Sequence, residues 1–233
     1  MTAATAPIGG TRASGGGWRR PLRAAAWVVL LLLALLLVVF VAAPYLTLNP
    51  AVYFAEQRAV YVAHTAGITT HVAGAMLAAL LGPFQFLPQS RTRRFLRLHR
   101  WSGRVYLLGV LVGGLGGLYM SFLAYGGLPA RIGFGMLAVL WLFTAGAAYV
   151  RIRAKQIESH KRWMIRNYAL TFAAVTLRLW LIGLQALAGV PQLEAYITVA
   201  WISWVPNLLV AEWIVERSRR PLGAAGRPVP AAA

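Results

Sequence analysis

The 233-residue chain has no cysteine and no aspartate, and its five acidic residues are Glu56, Glu158, Glu194, Glu212 and Glu216. Without thiols there is neither a disulfide framework nor a thiolate metal site, so any metal or haem has to use histidine, methionine or oxygen ligands. Three of the glutamates fall in polar connections and two near the end of the last apolar stretch, which leaves no paired carboxylates within an apolar segment. Serines are few, and there is no nucleophile elbow, phosphate loop or zinc-binding helix motif. Hydrolase and kinase chemistries are thereby excluded. Charge is scarce overall: 12% of residues are charged and 59% are hydrophobic, whereas soluble domains carry about a quarter charged residues. That balance rules out an ordinary globular enzyme.

What the chain does have is long apolar runs, and a bilayer crossing needs about 20 apolar residues. Six stretches meet that length, at about 24–46, 63–86, 105–124, 132–150, 163–187 and 195–215. They predict an all-α, polytopic bundle of six transmembrane helices. A basic, Gly-, Ser-, Thr- and Ala-rich leader over 1–23 is expected to be disordered, and 217–233 forms a tail. The first run follows Arg19, Arg20 and Arg23 as a signal peptide would, but is too long for a signal-peptide core and reads as an uncleaved span. Gly82-Pro83, Gly126-Gly127-Leu128-Pro129 and Gly189-Val190-Pro191 punctuate the series where a chain leaving a helix needs backbone freedom or a stop. The connections are short, so successive helices should be antiparallel neighbours.

The formal charge of +18 would suggest nucleic acid in a soluble protein. Here its distribution gives a different reason. Twenty Lys and Arg lie in the leader, the second-to-third connection, the fourth-to-fifth connection and the tail, against only Arg58 and Arg131 in the alternate set. By the positive-inside rule the basic set is cytoplasmic, and both termini with it. The expected surroundings are therefore the lipid bilayer, with a second membrane protein or another copy of the chain as possible partners and no nucleic acid. Residues 49–62, with Tyr53, Phe54 and Tyr61, suit a short helix at the outer headgroup level or the first turns of the second helix.

Polar groups inside the spans are expensive and so informative. On the fifth helix His160, Asn167, Thr171, Arg178 and Gln185 fall within a narrow stripe at 100° per residue. A mid-helix arginine facing lipid costs at least about 2.5 to 3.5 kcal/mol, so the stripe should face the bundle interior. No acidic residue lies at the depth of Arg178; its partner is either an anion from outside the chain or a set of backbone carbonyls helped by snorkelling. The second helix presents His64, Gly67, His71 and Gly74 on one side. Those glycines leave room for a flat ring such as haem b, or for ordinary helix contact. Tyr196, Ser203 and Asn207 form a polar face on the sixth helix beside an expected kink at Pro206. The glycines of the third span, Gly109 to Gly117, read as close helix packing. Histidine recurs at two basic helix starts, His99-Arg100-Trp101 and His160-Lys161-Arg162-Trp163-Met164.

The stretch from His71 to Arg178 resembles a bacterial family of predicted membrane proteins, domain of unknown function 2306. The resemblance rests on Leu81-Gly82-Pro83-Phe84-Gln85-Phe86, on His99-Arg100-Trp101-Ser102-Gly103-Arg104-Val105-Tyr106, on Gly133-Phe134, on His160-Lys161-Arg162-Trp163-Met164-Ile165-Arg166, and on the run from Leu170 to Leu179. It implies the bacterial cytoplasmic (inner) membrane as location and adds no stated activity. A weaker likeness is to cytochrome b561-type bundles, in which facing helices supply paired histidines to two haems. That likeness implies His99 and His160 as a cytoplasmic haem pair, while the fourth helix offers no histidine to partner His71. Three functions remain open: a b-type haem or redox protein using His71, His99, His160 and Arg178; a transporter or lipid- and anion-binding protein built on the polar stripe; and a non-catalytic assembly partner.

Overall fold

In the structure, a computed structural model, residues 19–87 and 92–219 are described. The expected leader and tail therefore lie mostly outside the described residues. Among those described there is no strand, and six helical spans are long and apolar enough to cross a membrane. These are Ala24–Thr47, Thr65–Gln85, Leu96–Ser121, Gly127–Arg153, Ile157–Leu187 and Gln192–Arg219.

In chain order, α1 (Arg19–Leu36) runs on through a widened turn at Leu37–Ala42 and a tighter 3-10 segment at Ala43–Thr47. Helix already begins at Arg19, inside the leader that was expected to be disordered. Two short 3-10 turns, Pro50–Val52 and Ala55–Gln57, lead into α2 (Arg58–Ala63), which breaks at His64 before α3 (Thr65–Gln85). Then come α4 (Leu96–Ser121) and α5 (Gly127–Arg153). The fifth span joins α6 (Ile157–Thr171) to α7 (Ala173–Ile182) and a wide final turn at Gly183–Leu187. The sixth joins α8 (Gln192–Ile202) to α9 (Val205–Arg219), interrupted at Ser203 and Trp204. That interruption sits where Pro206, lacking an N–H, frees the carbonyl of Ile202.

The third helix starts nine residues before the apolar run that announced it. Leu96 to Arg104 carries arginines that lower hydropathy but do not break a helix, and long basic side chains can reach the headgroup region while their stems stay on the helix.

Cross-helix contacts show the up-and-down order directly. The Trp27 indole donates to the Pro83 carbonyl at 2.9 Å, joining the start of α1 to the end of α3. The His71 ring meets Gly113 on α4, the Asn167 amide donates to Thr144 on α5, and Arg166 pairs with Glu212 on α9. The tightest interface is α3 on α4. A Cβ at Gly74 would stand 2.3 Å from the Gly113 nitrogen and 2.5 Å from the Gly109 oxygen, and one at Gly116 would stand 2.7 Å from the His71 nitrogen. Only hydrogen fits between these backbones, which is how helices in lipid gain close dispersion contact. The core beside this seam holds Tyr106, Val110, Trp141, Met164, Tyr168 and Trp204. The first span leans chiefly on α3.

Candidate functional site

The middle of the stripe on the fifth span faces inward, with Asn167 and Thr171 in a hydrogen-bond network and Arg178 on a cavity. Asn167 is fully buried and sits at the centre of a hydrogen-bond network spanning three helices. The Tyr106 hydroxyl donates to its Oδ1 at 2.6 Å, while its Nδ2 donates to the Trp141 carbonyl and the Thr144 hydroxyl, each at 2.8 Å. The Trp141 indole donates to Thr171 at 2.8 Å, and Thr171 returns to the Asn167 carbonyl at 3.0 Å. Every polar atom of Asn167 is satisfied by protein, so Asn167 holds helices together.

Arg178 borders open space. A cavity of about 610 Å³ opens between the first span, α3, α4, α5 and the fifth span, and both His71 and Arg178 line it. Its walls are mostly apolar: Val38 and Val41 from the first span, Ile68, Val72 and Met76 from α3, Leu177 and Leu181 from α7. Thr171 reaches its floor beside Trp141. At the end away from the arginine-rich connections it is ringed by Tyr45, Tyr53, Phe54, Tyr61 and Tyr196. These rings pack on one another, with Tyr45 and Tyr53 centroids 5.2 Å apart, Tyr53 and Tyr61 5.9 Å apart, and Phe54 stacked on Tyr196 at 5.2 Å. Residues 49–62 thus fold over the cavity as a cap rather than only extending the second helix, and Tyr53 and Gln57 are buried by it.

Arg178 makes one hydrogen bond, from Nη1 to the Ala174 carbonyl at 3.3 Å, and among the described residues no carboxylate pairs with it. Its electrostatic neighbours are the phenols of Tyr45, Tyr61 and Tyr196. They give no counter-charge: a phenol ionises only near pH 10 in water, and burial pushes the Tyr61 hydroxyl far above that. They are neutral groups around an uncompensated cation.

The His71 Nδ1 lies 2.8 Å from the Gly113 carbonyl oxygen. A carbonyl only accepts, so Nδ1 carries the proton, and in the neutral ring Nε2 is left as a bare acceptor. The ring lies against Gly117, where a Cβ would come within 2.6 Å of Nδ1. The room that the α3 glycines were expected to leave for a flat ring is taken by protein: α4 backbone fills the face at Gly74, and Tyr119 with Met120 fills the face at Gly67.

The remaining candidates lie elsewhere. His64 meets the Tyr119 hydroxyl at 2.7 Å, and His160 uses Nδ1 on the Ala148 carbonyl at 2.9 Å. Neither of these, nor His99, lines the cavity. Gln185 donates to Gln192, and Asn207 donates to Thr176 at 3.0 Å and to the Ala169 carbonyl at 3.2 Å. Among the described residues no cluster of three or more His, Cys, Asp or Glu could hold a metal ion. Glu212 is taken by Arg166 in a two-pronged pair at 2.6 and 2.7 Å.

Residues 68–215 match the model of a family described as predicted membrane protein, domain of unknown function 2306. The chain belongs to that family. The match begins within α3, so the first span and the cap, which supply Tyr45, Tyr53 and Tyr61 to this member's cavity, fall outside it. No curated protein and no solved structure matches the chain, and the likeness to cytochrome b561-type bundles gains no support.

Proposed function

We propose that this protein binds an amphipathic anion from the membrane, and that Arg178 takes its head group while the apolar walls take its body. One observation carries the reading: a guanidinium with no ion pair among the described residues lines a mostly apolar cavity. A charge held in a low-dielectric site without a counter-ion is unfavourable, and a ligand bringing the opposite charge removes that penalty. The volume falls within the ordinary range for small-molecule sites, roughly 300 to 1,000 Å³. The first span leans on α3 and lines the same cavity as the fifth span, which suits lateral entry from the lipid. We place the arginine-rich side in the cytoplasm of a bacterial inner membrane, so Arg178 and the phenol ring sit toward the outer leaflet. Carriage across the membrane and simple binding are both compatible with this site.

Binding of dodecanoate and of dodecanol to the protein in neutral detergent, followed by thermal shift and native mass spectrometry, tests the reading. Wild type should take up the anion at least ten-fold more tightly than the alcohol, and Arg178→Ala should lose that preference. Equal anion binding by Arg178→Ala refutes it.

A second reading keeps haem b. His71, with Nδ1–H held by a carbonyl, has the arrangement usual for an axial ligand nitrogen, and Arg178 would neutralise a propionate. The cavity holds no second histidine, so any such haem would have a single histidine ligand. Reduced-minus-oxidised spectra of protein from haem-supplemented cells decide it, and absence of a Soret band ends it.

A further inference from the structure

The hydrogen-bonding complement of the cavity narrows the class of head group. Arg178 is a pure donor: its guanidinium offers several N–H groups and accepts nothing. His71 is fixed in the opposite sense, since Gly113 holds its Nδ1–H and its Nε2 can only accept. Both side chains line one cavity and sense each other electrostatically. The phenols of Tyr45, Tyr61 and Tyr196 beside Arg178 are neutral donors as well.

A carboxylate satisfies only part of this set. Its two oxygens pair with the guanidinium in parallel, and being ionised it has no hydrogen to give Nε2, so a second acceptor is left facing it. A phosphate monoester carries three terminal oxygens and at near-neutral pH is within reach of its second ionisation, near pH 6. Two oxygens can accept from Arg178, and the third, with one proton shared between it and Nε2, completes the bond to His71. The proton count is the same whether phosphate or imidazole holds it. The remaining lone pairs face the phenols.

We infer that the cavity is selective for a single-chain amphiphile ending in a phosphate monoester, with Arg178 as the charge partner and His71 Nε2 as the group that distinguishes phosphate from carboxylate. This rests on the amphipathic-anion reading above and adds head-group identity to it. The apolar lining asks for the chain, so inorganic phosphate alone is not the ligand.

The test compares dodecyl phosphate, dodecanoate, dodecanol and inorganic phosphate on the full-length protein in neutral detergent, near pH 6.5. Dodecyl phosphate should bind about ten-fold or more tightly than dodecanoate, and inorganic phosphate should neither bind detectably nor compete at millimolar concentration. Three variants separate the causes. His71→Asn keeps an amide N–H where Nδ1 stands, and so the bond to Gly113, but removes Nε2; it should bring the phosphate-to-carboxylate ratio to about one, chiefly by weakening dodecyl phosphate. His71→Gln, which places an amide oxygen near the Nε2 position, should restore part of the ratio. Arg178→Ala should abolish both anions. A ratio unchanged in His71→Asn, or dodecanoate binding as tightly as dodecyl phosphate in wild type, overturns the head-group assignment while leaving the Arg178 site standing, and inorganic phosphate displacing dodecyl phosphate overturns the assignment of an amphiphile. Loss of Arg178 dependence for every anion overturns both.

Discussion

The imidazole of His71 on α3 is held 2.8 Å from the carbonyl of Gly113 on α4, across a contact where a Cβ at Gly113 would stand 2.8 Å from the Ala75 nitrogen. A close backbone approach between α3 and α4 therefore sets the tautomer of the histidine that lines the cavity. Packing and chemistry are coupled at this point.

Gly74→Ala should consequently disturb both. Its Cβ would meet Gly113 and Gly109 backbone, which cannot rotate away as a flexible side chain could. Overpacking of this kind costs about 1 to 3 kcal/mol, and the helices must part to relieve it, which also lengthens the bond from His71 to Gly113. Gly146→Ala on α5, where nothing lies within 4 Å of the new Cβ, should be neutral or slightly stabilising. Thermal unfolding in detergent checks both, and equal midpoints for the two variants would contradict the close-packing account.

Asn167→Leu should be more damaging than its similar size suggests. It removes the acceptor of the buried Tyr106 hydroxyl and the donor to the Trp141 carbonyl and Thr144. Each buried polar group left without a partner costs about 1 to 3 kcal/mol. Thr144 retains its own bonds to the Leu140 and Trp141 carbonyls, and Tyr106 retains Thr171 at 3.1 Å, so the total should stay near the lower end. An unaltered midpoint would show that the network carries little of the fold.

The existence of six spans was legible because apolar runs of bilayer length have no other stable use in a chain so poor in charge. Their ends were less so: hydropathy stops at Arg100 and Arg104, whereas backbone hydrogen bonding continues back to Leu96. The inward stripe followed from helical period and the missing acid beside Arg178 from where the five glutamates fall, and the shared cavity with His71 is consistent with them. The phenol ring was not foreseen as part of a site, since Tyr45, Tyr53 and Tyr61 come from irregular turns and a short helix that no single period links. The Tyr106, Trp141 and Asn167 network escaped notice for a related reason: it crosses three helices, and periodicity reports one helix at a time. The signal available was the density of tyrosines in the connections nearest Arg178.

Arg178→Met should stabilise the empty protein while abolishing anion binding. Among the described residues the guanidinium has one long hydrogen bond and no ion pair to lose, and methionine fills comparable space with no charge to desolvate. Replacing poorly compensated charge by apolar side chains is often neutral or favourable by about 1 to 4 kcal/mol, which in a chain of this size corresponds to several degrees in the unfolding midpoint. The same variant should no longer be stabilised by added dodecyl phosphate. A large fall in the midpoint without ligand would instead identify Arg178 as structural.

The membrane orientation is accessible because the chain has no native cysteine. Single cysteines can therefore be read without background. Ala51, in the turns before α2, and Leu128, in the first turn of α5, are exposed on the side poor in Lys and Arg, whereas Arg93 and Ser218 are exposed on the arginine-rich side. Twenty basic residues in one set of connections against two in the other predict, by the positive-inside rule, that the basic set stays on the cytoplasmic side. Ala51→Cys and Leu128→Cys should then react with a membrane-impermeant maleimide in intact spheroplasts, and Arg93→Cys and Ser218→Cys only after permeabilisation. The reverse pattern would put Arg178 and its phenol ring on the cytoplasmic half, and the ligand would have to enter from the inner leaflet.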